Sequence, residues 1–375
     1  MNVKVALVTE SFLPHVNGVS NSVCRVLEHL DRRGHHALLV APGPVPQTYA
    51  GASIHPVPSV PLPGYRQVRV ALAPSRSLTG LLREHRPDVV YLASPFMLGW
   101  AAAKAADDLG VPTVAVYQTD VAGFAERYHL GLARRIVWRR IRSIHRRAAL
   151  TLAPSRPALR ALVERGVPRV MLWQRGVDTE RFHPGHRDEA LRLRLAPQGE
   201  VLVGYLGRLA PEKQLGDLRV LTRLPGVRLV IIGDGPERRR LEGLLPGAAF
   251  LGFLDGDDLS QAVASLDIAV HPGPHETFCQ AVQECLASGV PVVAVRAGGP
   301  VDLVHHGVNG YLYPPGNLDR FRRLVGRLSV DVAHRDQLAS ASRSSVMGRS
   351  WDALGDDLLD HLERVRRPRR TWAAA

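Results

Sequence analysis

Four charged residues in the second half of the chain have the types and spacing to act on an anionic ligand. Arg208 and Lys213 lie in the run G-R-L-A-P-E-K, and Glu276 and Glu284 lie in H-P-G-P-H-E-T-F-C-Q-A-V-Q-E. The first run follows the apolar stretch Val201 to Leu206, which places both cations in a strand-to-helix loop. Two cations there suit a diphosphate leaving group, whose developing charge they would stabilise. As isolated residues they are equally ordinary surface charges. The second run reads as a buried strand, a Pro-Gly-Pro break and an amphipathic helix that opens near Thr277 and stops at Gly289. Such a helix start offers unpaired N–H groups and the positive end of a dipole, a ready anion site. Counted along a helix, Glu276 and Glu284 are about two turns apart, on one face, with a rise of about 12 Å between them. That is wider than the roughly 5–5.5 Å between the carboxylates of a retaining glycosidase. The two suit the ends of one long ligand; a dipole-favoured glutamate plus a solvated one explains them equally well.

The elements that must position these residues alternate as strand and helix throughout. In the first half, strands are predicted at Lys4–Glu10, Ala37–Ala41, Asp88–Ala93, Thr113–Tyr117, Thr151–Ala153 and Arg169–Trp173, with helices between them. This is a doubly wound α/β pattern, in which ligands bind at the carboxyl ends of the strands. Gly18 lies in the first such loop, where it would let backbone approach a ligand. Gln118 and Asp120 follow the fourth strand, with a helix cap as the plainer role for Asp120. The proline-rich stretch 42–75 reads as a long irregular connection. A turn-rich segment, 175–185, reads as a link between a domain of residues 1–174 and a second of residues 186–350. The second domain has its own α/β rhythm. It includes a partial glycine fingerprint at Gly233-Asp234-Gly235 and an Asp255-x-Asp257 that fits a turn and helix cap better than a metal site.

Composition narrows the class. The chain has 375 residues, 45% hydrophobic and 22% charged, as in a soluble globular protein of two domains. Cys24, Cys279 and Cys285 have no metal-ligand or disulfide-framework spacing. The N-terminus runs directly into a strand without a signal-peptide pattern, and no apolar run approaches the ~20 residues of a membrane span. A cytoplasmic location is expected, with contact at the inner face of the membrane. Residues 1–180 hold 23 Lys and Arg against 12 Asp and Glu, a net +11, and residues 181–375 hold 25 against 23, a net +2. The basic half points to an anionic partner, although arginine-rich genomes give the same bias. Helix Gly131–Arg147 carries seven arginines beside an apolar stripe, a pattern that lies on anionic membranes or packs on a sheet with its arginines in water. No basic strand face interleaved with aromatics is present, which argues against nucleic acid.

Taken together and in order, G-R-L-A-P-E-K, I-I-G-D-G-P-E, Glu276 with Glu284, G-V-P-V-V-A and G-V-N-G-Y-L-Y-P-P resemble glycosyltransferase family 4 over essentially the whole chain. The resemblance implies a GT-B fold, two Rossmann-like doubly wound domains facing a central cleft, with a last helix near 351–367 crossing back to the first. It implies retaining transfer from a nucleotide sugar without metal or other cofactor, the donor in the C-terminal domain and the acceptor in the N-terminal one. By motif, Arg208 and Lys213 would hold the diphosphate, Glu284 the ribose and Glu276 the sugar hydroxyls. Backbone N–H groups of Thr277, Phe278 and Cys279 would meet phosphate or sugar, and Gly18 would lie against the donor. The first third, E-S-F-L-P-H-V-N-G-V-S-N-S-V with P-L-P-G-Y and Y-Q-T-D, is similar to actinobacterial GDP-mannose-dependent α-mannosyltransferases that modify glycolipids. Gln118 stands where many members have a histidine; it can bind a sugar hydroxyl but cannot serve as acid or base. Asp120 is a speculative substitute.

The expected route is front-face displacement: Arg208, Lys213 and the helix start stabilise the leaving nucleoside diphosphate, and its phosphate takes the acceptor's proton. The rival readings are a UDP-sugar enzyme with a soluble acceptor, a nucleotide-sugar epimerase, and a non-catalytic basic membrane-binding module.

Overall fold

The structure is a computed structural model that describes residues 2–15, 17–62, 65–93, 95–118 and 131–366. Asp120 lies outside the described residues. The chain divides into two compact units, Met1–Arg175 with Asp352–Ala375, and Gly176–Trp351.

The first unit is built on β1 (Lys4–Thr9), β2 (His36–Pro42), β3 (Thr48–Tyr49), β4 (Ala52–Val57), β5 (Ser59–Leu62), β6 (Tyr65–Ala71), β7 (Val89–Ala93), β8 (Thr113–Val116), β9 (Leu150–Ala153) and β10 (Val170–Leu172). Eight of these form one sheet in the order β10-β9-β8-β7-β1-β2-β4-β3, all parallel except β3. Strands β1 and β7 are nearly continuous apolar runs because helices cover both faces of a parallel sheet. Those helices are α1 (Gly18–Arg32), α2 (Ser75–His85), α3 (Leu98–Asp108), α4 (Gly131–Arg147) and α5 (Arg156–Glu164). Helix α1 is fixed at its start by Asn17, whose side chain accepts from the N–H groups of Val19 and Ser20 while Ser20 Oγ accepts from Asn17 N at 2.8 Å.

The proline-rich stretch 42–75 is not the irregular connection its composition predicts. Strand β4 joins the sheet beside β2, and β5 pairs antiparallel with β6 as a separate ribbon. Pro56 lies past the two residues of β4 that β3 pairs, on an open edge where a missing N–H is tolerated.

The second unit contains β11 (Val201–Leu206), β12 (Val227–Ile232), β13 (Ala249–Gly252), β14 (Ile268–His271), β15 (Val292–Val295) and β16 (Gly310–Tyr313). They form a parallel sheet in the order β13-β12-β11-β14-β15-β16. Its helices are α6 (Glu189–Leu195), α7 (Arg238–Leu244), α8 (Gly256–Ala264), α9 (Gln280–Ala287), α10 (Pro300–Leu303), α11 (Leu318–Val330) and α12 (Val332–Ser344). Asp255 caps α8 by accepting from Gly256 N and pairs with Arg181 at 2.7 Å. Much of the segment 175–185 is built into this unit: Val177 N donates to Arg349 O at 2.9 Å, and Phe182 is buried in the core.

The last helix, α13 (Trp351–Arg366), packs with the first unit. Leu354, Leu358 and Leu362 enter the same core as Val5, Leu7 and Trp173, and Trp173 Nε1 donates to Leu354 O at 2.9 Å.

Candidate active site

In each sheet the chain winds outward in one direction, returns to the middle and winds the other way. The returns fall between β1 and β7 in the first unit and between β11 and β14 in the second. Strand-end loops diverge at such points and leave a crevice for ligand. In the second unit the loop after β11 carries Arg208 and Lys213, and the loop after β14 carries Glu276.

The Lys213 ammonium donates to Glu276 Oε1 at 2.5 Å, and His271 Nε2 lies 3.1 Å from the same oxygen. Burial on its own would raise the Glu276 carboxyl, but the Lys213 charge and the His271 hydrogen bond outweigh it and hold it well below the usual carboxylate range. Burial likewise works against the Lys213 charge, and Glu276 overcomes it and lifts the ammonium above its ordinary value. Tyr205 on β11 braces the group, stacking on His271 at a centroid distance of 5.7 Å and donating its hydroxyl to Arg208 O at 3.2 Å. The Arg208 guanidinium, more exposed, pairs with Glu212 four residues on.

The loop carrying Arg208 is fixed by backbone contact rather than by a dinucleotide fingerprint. A Cβ on Gly233 would stand 2.0 Å from Gly207 O, and one on Gly235 2.3 Å from Leu209 O. Gly233-Asp234-Gly235 is therefore glycine-rich because two strand-end loops pack against each other there.

The helix that carries Glu284 begins at Gln280, three residues later than its periodicity predicts. Cys279 precedes it with φ 81°, a left-handed conformation that no helix can include. Thr277 and Phe278 are consequently loop residues, with Phe278 and Cys279 buried in the core. The helical spacing of about 12 Å between Glu276 and Glu284 fails for the same reason, since the helix holds only the second of them. The loop instead rests on Gly298-Gly299: Gly299 N donates to Glu276 O at 2.7 Å, and a Cβ on Gly299 would stand 2.0 Å from Phe278 O.

His271, Glu276 and Cys279 offer ligand atoms within 4.8 Å of one another. Burial pushes the Cys279 thiol well up and Lys213 already satisfies the carboxylate, so this is a poor resident cation site. Spacing never singled out His271; its only signal was its place at the head of the same run.

In the first unit, Gln118 follows β8 and is buried, and Arg175 Nη2 donates to its Oε1. A Cβ on Gly18, at the start of α1, would stand 3.1 Å from Arg175 Nη1. Burial pushes the neighbouring Tyr91 phenol well up, opposed by Arg175 and Gln118. Glu10, at the end of β1, accepts from Phe96 N at 2.7 Å and Gly99 N at 3.0 Å, and so holds the start of α3. Burial raises its carboxyl against these bonds. Sequence spacing assigned no role to Arg175, Tyr91 or Glu10.

Residues 16–181 match the family model described as Glycosyltransferase Family 4, and residues 187–345 match Glycosyl transferases group 1. The chain is 49% identical to a GDP-mannose-dependent alpha-mannosyltransferase of Mycobacterium tuberculosis over 99% of both chains. The chain belongs to glycosyltransferase family 4. A second family relative, the GDP-mannose-dependent alpha-mannosyltransferase of Corynebacterium glutamicum, is 45% identical over 96% of this chain and 89% of its own length. The fold is GT-B. It matches an Anabaena protein, Alr3699/HepE, crystallised with UDP, with a TM-score of 0.78 at 20% identity over 96% of this chain and 100% of that one. The chain is thus a glycosyltransferase with a nucleotide-sugar donor as co-substrate.

Proposed function

We propose that this family 4 enzyme transfers mannose from GDP-mannose, with retention, to give an α linkage on a glycolipid acceptor. The observation that carries the reading is the Lys213–Glu276–His271 group at the turning point of the second sheet, in a chain 49% identical to a relative that bears the GDP-mannose-dependent name. In this reading Lys213 and Arg208 stabilise the departing diphosphate, and Glu276, held ionised, accepts from sugar hydroxyls. Glu284 takes the ribose, the N–H groups of Thr277, Phe278 and Cys279 meet phosphate or sugar, and Gly18 and Gln118 contact the donor. Because Lys213 bonds both to Glu276 and to phosphate, it keeps sugar and leaving group in register. No resident metal or other cofactor takes part.

The test is a thermal-shift screen of GDP- and UDP-sugars followed by transfer of labelled mannose to a lipid extract. Stabilisation by GDP-mannose and label in the lipid phase are expected. A shift with UDP-sugars alone, or label only in soluble product, would refute the donor or the acceptor.

Peripheral attachment to the inner face of an anionic membrane belongs to the same reading, supported by α4. Ile136 is 65% exposed between exposed Arg135 and Arg139. Other arginines of α4 are spent on the protein itself, Arg140 over the Trp100 ring and Arg147 on Asp107. No helix among the described residues is long and apolar enough to cross a membrane. Flotation with anionic vesicles that persists at high salt, or is absent at low salt, would refute an electrostatic contact.

A further inference from the structure

The two cations of the loop after β11 each carry a counterion. Arg208 pairs with Glu212 and Lys213 with Glu276, so the four side chains sum to no net charge. Tyr205 stands among them: burial pushes its phenol up, Glu276 and Glu212 add to the rise, and Arg208 opposes it. Burial disfavours the Lys213 ammonium, and Glu212 acts with Glu276 in its favour. Backbone packing holds the charges together. Glu212 lies in the single helical turn Pro211–Lys213, and a Cβ on Gly273 would stand 3.2 Å from Cα of Lys213, so the loop after β14 rests on that turn. The Glu212 side chain is 11% exposed against 44% for Arg208, and its Oε2 is buried without a hydrogen-bond partner among the described residues. Water blunts the charge of an exposed pair, whereas a carboxylate this buried acts on its neighbours with little screening. With one oxygen unsatisfied it is a weak source of stability.

Transfer from a nucleotide sugar changes the charge that such a site must hold. In the donor each phosphate carries one negative charge. The reaction breaks the bond from the sugar carbon to a terminal phosphate oxygen and forms one from that carbon to the acceptor oxygen. The acceptor's proton passes to the phosphate and, above a pKa of about 6, on to water. The freed nucleoside diphosphate therefore carries one negative charge more than the donor.

We propose that Glu212 is a specificity-determining residue: its carboxylate offsets Arg208 so that the site favours the nucleotide sugar over the free nucleoside diphosphate, and the product leaves. The inference rests on the reading of Arg208 and Lys213 as the cations that meet the diphosphate. It adds to that reading a reason for a buried carboxylate beside them.

Glu212→Gln keeps the size of the side chain and an accepting oxygen for Arg208 but removes the charge. Calorimetric titrations at pH 8 compare GDP, GDP-mannose and GDP methylated on its terminal phosphate, which lacks the product's extra charge. Glu212→Gln is expected to tighten GDP by about tenfold relative to the other two, the size of one charge at short range with an effective dielectric of about 20. Product inhibition by GDP in steady-state transfer should strengthen by the same factor. Arg208→Gln together with Glu212→Gln restores the charge balance, and should return the preference to that of the wild type with weaker binding of all three. Where Glu212→Gln does not fold, Glu212→Ala carries the comparison.

An unchanged ratio between GDP and its methyl ester in Glu212→Gln would overturn this inference alone. Equal weakening of all three ligands would also overturn it, by showing that Glu212 merely supports the Arg208 side chain. A wild-type protein that binds neither GDP nor UDP would overturn the transfer reading and this inference with it.

Discussion

Lys213 Nζ and Glu276 Oε1 are 2.5 Å apart, although the residues are 63 positions apart in the chain, because they leave adjacent parallel strands at the same sheet end. Both side chains are mostly buried, at 20% and 15% exposure. Removing one partner strands the other charge, which costs about 3–5 kcal/mol, whereas replacing both with uncharged groups of similar shape costs far less. Lys213→Met is therefore expected to lower stability sharply, and Lys213→Met with Glu276→Gln to recover most of it. Activity should stay lost in both, by about 10²–10³ in kcat if the ammonium serves the leaving group as an oxyanion donor does. Urea unfolding beside turnover checks this; a double variant as unstable as the single one would show that the pair is not the source.

The same pair sets a pH window. Glu276 titrates below its ordinary 4.5 in the folded protein, so the stability it lends is present above about pH 4.5 and is lost as pH falls through the lower folded value. Lys213 titrates above its ordinary 10.5, so its share is complete below that pH and is lost as pH rises through the higher folded value. Glu276→Gln should flatten the acid limb of a stability profile measured between pH 3 and 6 relative to the wild type.

His145 adds to the loss of stability on acidification, but by a different cause. It is fully buried on α4, 3.1 Å from Thr151 Oγ1, and burial lowers its pKa from 6.5 to about 4. Above pH 6.5 it is neutral in both states and costs nothing. Between pH 6.5 and about 4 the unfolded chain takes up a proton that the folded one refuses, and stability falls by about 3 kcal/mol across that interval. His145→Gln should remove this slope. An unchanged slope in denaturant titrations at pH 6.5, 5.5 and 4.5 would place the titration elsewhere.

How much of this was legible follows from where the forces act. The α/β alternation and the apolar strands could be read directly, because a parallel strand buried on both faces must be apolar along its length. Arg208, Lys213 and Glu276 could be read as charges at strand ends, but the Lys213–Glu276 bond could not, since strand order and not spacing creates it. Arg175 read as a link residue because its partner, Gln118, is 57 positions away. The strands within 42–75 were hidden by prolines that sheet edges tolerate. The helix start was misplaced by three residues because nothing in the composition marks a cysteine with positive φ.

Gly299 supports the loop that carries Glu276, with room for no side chain: a Cβ would stand 2.0 Å from Phe278 O, a backbone atom that cannot step aside alone. Gly299→Ala should displace the loop from Glu276 to Cys279 and cut kcat/KM with GDP-mannose by about tenfold or more, as for misplacement of reacting groups by an ångström. The parallel sheet beneath should survive, so far-UV circular dichroism should be unchanged. Full activity in this variant would mean that the loop's position is not what the reaction needs.

Cys279 holds the last turn before α9 at φ 81°, where an L-residue pays about 1–2 kcal/mol that glycine does not. Its thiol is also buried, and removing that side chain forfeits burial of similar size. The two effects oppose, so Cys279→Gly should change stability by less than about 1 kcal/mol. Cys279→Val keeps apolar bulk but adds branching at Cβ where φ is positive, a true outlier for such residues. It should cost more than about 2 kcal/mol, in line with strained backbone plus overpacking. Urea midpoints for both variants decide the matter: if valine were tolerated as well as glycine, the left-handed turn would not be what ends the loop and starts the helix.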